Sequence, residues 1–158
     1  MLVLGVSFSA FADVKLGYMD LSKVFDNYAK TKEYDAMLEG KHSEYEKQRN
    51  EKIEKLKEAQ NKLSILKEDE KAKVQAEIEQ MRTDLMSFDQ SAQTDLTKQR
   101  DEKIREILLE IEKTVSDYAK KENFDAILND RVLIYGNQAM DVSEQILTTL
   151  NQNYNKKP

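Results

Sequence analysis

The residues able to do chemistry are few and poorly placed for it. His42 is the one histidine, set among charged neighbours in Lys41-His42-Ser43-Glu44, and there is no cysteine. Without cysteine there is no disulfide, no thiolate metal site and no thiol nucleophile. An exposed helical histidine of this kind belongs to a solvated face rather than to a general base. Carboxylates are plentiful, but Glu68, Asp69 and Glu70 are consecutive in the polar run KEDEKAK, and such runs face solvent. No serine triad, phosphate loop or metal-ligand spacing is present. The expectation is a protein that is not an enzyme and carries no cofactor or metal.

Recognition is the remaining chemistry. Met37 beside Leu38, Tyr45, Ile53, Met86 beside Leu85, and Phe88 are large apolar side chains on a charged background. A flexible thioether suits contact with variable partners. Packing between helices is the alternative reading of each, because they fall at helical spacing. A net charge of −5 disfavours nucleic acid as the partner.

The elements that must position these residues follow from punctuation and period. The only proline is Pro158, and glycine occurs only at positions 5, 17, 40 and 136, so nearly the whole middle of the chain lacks helix breakers. Apolar residues in steps of three, four or seven run from Tyr34 to Leu66, and again from Val74 to Tyr118. Between Tyr45 and Ile53 the first seam has no apolar residue, so contact there must use charged side chains and their stems. Residues 31–122 are therefore expected to form a helical hairpin with coiled-coil arms and a polar tip near 67–73. An uninterrupted rod is the alternative, since no glycine or proline marks the turn.

Strand signals sit at the two ends. In VKLGYMD, Val14, Leu16 and Tyr18 alternate with Lys15, Gly17 and Met19. Asp20 then serves as an N-cap for a short helix whose stripe is Leu21, Val24, Phe25 and Tyr28, and helix resumes near Thr31. Near the other end, Phe124–Leu128 and Val132–Tyr135 are β-rich runs separated by Asn129-Asp130-Arg131, which suits a tight turn. Asp141 reads as an N-cap, with Glu144 three residues on, before an amphipathic last helix. Residues 152–158 fray.

Terminal strands can pair only if the helices between them double back, so residues 13–30 and 123–151 are expected to form a small β-containing base. The fold class is α+β, mostly α. Short strands leave reactive edges. Leu16, Tyr18, Ile127, Leu128, Val132 and Ile134 are therefore the expected oligomerisation residues. A monomeric base covered by the last helix is the alternative. At the start, MLVLGVSFSAFA ends in Ala10-Phe11-Ala12, a pattern for signal cleavage after residue 12, or else a buried strand. No segment has the length and apolarity of a membrane span.

KLGYMDLSKVFDNYAKTK near the start and NFDAILNDRVLIYGNQAMDVSEQILTTLN near the end resemble the paired signatures of the Skp/OmpH family, periplasmic chaperones of outer-membrane proteins. The resemblance implies a homotrimer with an intersubunit β-barrel and three helical arms around a cavity. It also implies ATP-independent holding of unfolded outer-membrane β-barrel proteins. The best-known members are basic and this chain is acidic, so no lipopolysaccharide site is carried over. The competing function is a structural or tethering coiled coil of the cell envelope that binds one folded partner.

Overall fold

The computed structural model describes residues 14–156. The signal segment expected over residues 1–12 and the last two residues of the frayed tail lie outside the described residues. The chain forms two compact units, one from the segment up to Ala29 together with that from Leu109 onward, the other from Lys30 to Leu108.

In the first unit, strands β1 (Leu16–Met19) and β2 (Ala126–Asn129) pair in parallel, with Leu16 opposite Ala126 and Met19 opposite Asn129. The Asp20 side chain accepts from the Lys23 amide at 2.8 Å, which satisfies an otherwise orphaned donor and starts helix α1 (Leu21–Asn27). Tyr28 is extended (ψ 129°) and breaks the helix for a single residue. Helix α2 (Ala29–Leu63) follows at once, its first amide donating to Asn151 Oδ1 at 2.9 Å. The break at Tyr28 is where the apolar stripe placed it, and helix resumes two residues earlier than Thr31 because Asn151 caps it.

Helix α3 (Glu68–Glu122) ends in a left-handed residue, Asn123 (φ 57°), with the Phe124 amide reaching back to the Ala119 carbonyl at 2.9 Å. This closes the helix in the Schellman manner, with asparagine in the usual glycine position. Lys15 Nζ donates to the Glu122 carbonyl at 2.7 Å, so a residue beside β1 satisfies another orphan acceptor of α3.

Two expectations need correction here. Val132–Tyr135 is not a strand. Asn129 Oδ1 accepts from the Arg131 amide, starting a 3-10 turn at Asp130–Val132 in place of a hairpin, and β2 takes β1 as its partner. The last helix, α4, spans Ser143–Asn155 with Val142 at the cap position, so Asp141 lies one residue before it. Asp141 still binds the Ser143 amide at 2.8 Å, while Ser143 Oγ accepts from the Asp20 amide at 2.9 Å. One buried hydroxyl thus ties the end of β1 to the start of α4.

The core of this unit is Met19, Val24, Tyr28, Ile111, Val142, Ile146 and Leu150, with Val24 and Ile146 fully buried. Each large apolar side chain so buried contributes about 1.5–3 kcal/mol. Gly136 packs against the Tyr18 ring so closely that a Cβ would lie 2.6 Å from Tyr18 Cε1. Its backbone is not left-handed, so close approach is what glycine supplies. Gly136→Ala is expected to cost about 1–3 kcal/mol by overpacking, read as a lower thermal midpoint. A Tyr18→Ser background should remove most of that loss, and an equal loss in both backgrounds would refute the contact as the cause.

In the second unit, α2 and α3 run antiparallel, joined by a turn at Ser64–Lys67. The tip expected near 67–73 is therefore displaced towards the N-terminus. Glu68, Asp69 and Glu70 form the first turn of α3, where acidic side chains favour the positive end of the helix dipole. Antiparallel pairing also rules out the uninterrupted rod.

Candidate functional site

Polar pairs cross between the two helices of the hairpin, beside a half-buried apolar seam. Tyr34 Oη donates to Glu106 Oε1 at 3.0 Å, Lys41 bonds Gln99, Tyr45 Oη donates to Asp95 Oδ2 at 2.7 Å, and Arg49 Nε reaches both oxygens of Asp89 at 3.0 and 3.2 Å. The last of these fills the stretch after Tyr45 where the sequence offers no apolar residue. Among the described residues of this unit, the buried apolar side chains are only Ala59, Ile78 and Ile107. Leu38, Ile53, Leu85 and Leu96 stay half-buried, because two helices cannot enclose a seam.

The strongest electrostatic feature is at Glu106. Lys30 is buried to 5% exposure, and its Nζ lies 2.6 Å from Glu106 Oε1. That hydrogen bond, helped by Tyr34 and Lys103, pulls the Glu106 carboxyl down from 4.5 to about 2. A depressed folded-state pKa means that ionised Glu106 favours the folded hairpin, fully above pH 4.5, and that this contribution fades as pH falls toward 2. Because the Glu106 side chain is 45% exposed, solvent screening reduces the effect to about 1 kcal/mol. Glu106→Gln should therefore flatten part of the acid-induced fall in thermal midpoint between those limits. A variant as acid-sensitive as the parent would exclude the pair as its source.

The recognition candidates divide into two groups. Met37 and Met86 are exposed, at 39% and 68%. Tyr45, Ile53 and Phe88 are half-buried, and the Tyr45 and Phe88 rings meet edge to face at 6.0 Å between centroids. Asp95 holds the Tyr45 hydroxyl and raises its pKa. Tyr45 and Phe88 thus take part in joining the helices, while the two methionines point to solvent. His42 is exposed on the same hairpin, 3.9 Å from Glu46.

The association candidates lie in the other unit. Leu16 and Leu128 are about two-fifths exposed, Tyr18 and Ile127 are half-buried, and Val132 and Ile134 are 70% and 107% exposed. Tyr135, at 83%, extends this apolar run beyond the residues singled out from sequence. Sequence reasoning also passed over Ile65, 84% exposed in the hairpin turn beside the half-buried Leu66. Among the described residues no cluster of three or more His, Cys, Asp or Glu could hold a metal ion. No described helix is long and apolar enough to cross a membrane.

A long helical hairpin whose connection returns the chain to a two-stranded parallel sheet defines a mostly α fold with a small β component. The OmpH-like outer membrane protein family model matches residues 15–150, and the chain belongs to that family. It is 24% identical over 150 residues to the chaperone protein Skp of Pectobacterium atrosepticum, covering 92% of this chain and 91% of that one. Its fold is that of a Caulobacter crescentus crystal structure assigned as an OmpH-like outer membrane chaperone. The TM-score is 0.82 at 12% identity, over 97% of this chain and 92% of the other.

Proposed function

We propose that the protein is an ATP-independent periplasmic holdase, which keeps unfolded outer-membrane β-barrel proteins from aggregating. Copies associate as a homotrimer through Leu16, Tyr18, Ile127, Leu128, Val132 and Ile134, and the hairpins offer apolar contacts to the bound chain. Family membership supports the chaperone role. The observation that carries the reading further is the separation of tasks along the hairpin. Polar pairs and a half-buried apolar seam join its two helices, and Met37, Ile65 and Met86 lie outside both, outward and available.

Holding an unfolded chain calls for many weak contacts that do not template one structure, and several arms raise the effective concentration of such contacts. Side chains of flexible thioether type supply contacts without demanding a fixed partner shape. The test is the solution mass of the protein from Asp13 onward, by light scattering behind size exclusion, alone and after dilution of a urea-unfolded barrel protein into it. A three-chain mass and a discrete soluble complex are expected. A single-chain mass with an aggregated barrel protein would refute the proposal, as would binding confined to folded partners.

A further inference from the structure

The C-terminal parts of α3 and α4, with Tyr28, line a cleft of about 350 Å³ within the first unit, at the low end of the size range of ligand pockets. Three tyrosine rings line it: Tyr28 at the break between α1 and α2, Tyr118 on α3 and Tyr154 on α4. Tyr28 and Tyr154 meet edge to face at 5.8 Å between centroids. Tyr118 stacks on Phe124 at 6.0 Å, and burial raises the pKa of its hydroxyl.

The charges around the cleft are matched to one another. Lys113 lies 2.7 Å from Asp117, Lys121 lies 3.6 Å from Glu122, and Tyr28 Oη donates to Glu110 at 2.8 Å. A rim so balanced complements a neutral occupant and offers no surplus charge to an ion. Ring edges and faces favour a further ring in offset or edge-on contact. The volume admits one side chain and not a folded element.

We infer that this cleft is a pocket for a single aromatic side chain of the unfolded protein being held. The inference rests on the holdase reading and deepens it. Transmembrane β-strands carry girdles of aromatic residues at both membrane interfaces, so such chains present several rings once unfolded. The cleft adds a ring-selective contact to the unselective ones along the hairpin.

The test has two arms. In the first, the full oligomer with labelled tyrosine rings is titrated with N-acetyl-phenylalaninamide, and separately with N-acetyl-leucinamide. The aromatic probe should shift the Tyr118 and Tyr154 ring signals saturably, at least fivefold more tightly than the aliphatic one, and Thr149→Phe, which fills the cleft, should abolish the shifts. Absent shifts, or equal response to both probes, would overturn the inference. In the second, Thr149→Phe should shorten retention of an unfolded barrel protein about threefold at unchanged oligomeric mass, and unchanged retention would overturn it too. A parent protein that shows the probe shifts but holds no barrel protein would sink the holdase reading and leave the pocket standing, so the two failures are distinguishable.

Discussion

Replacing Val132 and Ile134 with lysine is expected to reduce the solution mass to that of one chain and to abolish retention of an unfolded barrel protein. Both side chains stand in solvent in the single chain, at 70% and 107% exposure, so neither contributes to its core. Their substitution should leave helical circular dichroism and the packing around Val24 and Ile146 intact. In an oligomer each would bury an apolar side chain worth about 1.5–3 kcal/mol, repeated in every copy. Burying an unpaired ammonium in its place costs several kcal/mol more. On the proposed holdase function, retention should fall with the mass, since several arms acting at once would raise avidity. A doubly substituted protein that keeps its oligomeric mass would remove these residues from the association surface.

The second large effect belongs to the methionines. Met37→Ser with Met86→Ser should leave mass and thermal midpoint nearly unchanged while shortening retention about tenfold, measured as the release of a fluorescent unfolded barrel protein to a trap. A factor of ten corresponds to about 1.4 kcal/mol, which two exposed side chains contacting one bound chain can supply. Phe88→Ser is the informative comparison. Its ring packs on Tyr45 and lies under the Lys52 ammonium at 5.3 Å, so its loss should lower the thermal midpoint first. If the methionine pair changed stability but not retention, both residues would belong to helix packing.

Local signals in the sequence were legible where one residue decides one event. Asp20, the spacing of Leu21, Val24, Phe25 and Tyr28, and the lack of breakers over the middle fix α1, its end and the long helices that follow. The hairpin turn was legible to within a few residues, and the acidic triplet at 68–70 was the missed signal, because three acids mark a helix start as well as a polar loop. The polar pairs were not legible. Which carboxylate meets Tyr45 depends on where the turn lies, and a turn displaced by a few residues reassigns every partner across the hairpin. Val132–Tyr135 reads as strand by composition but is irregular in the single chain, since β-propensity expresses a fit to neighbours that one copy does not provide. The three-tyrosine cleft was invisible for a related reason, as Tyr28, Tyr118 and Tyr154 come from three distant segments.

The parallel pairing of β1 with β2 also has a temporal side. Lys15 bonds Asp125 across 110 residues of sequence and Asp20 bonds Ser143 across 123, so the first strand meets its partners only when the chain is nearly finished. Closing a loop of that length costs about 4 kcal/mol by chain statistics. The intervening helices reduce this by forming locally and folding back first. A chain emerging N-terminus first therefore carries Leu16 and Met19 unpaired until β2 appears, and Val24 without its packing partners until the last helix appears. Contact order makes this unit the late and slow step of folding, and loss of the final thirteen-residue helix would leave β1 without its anchor.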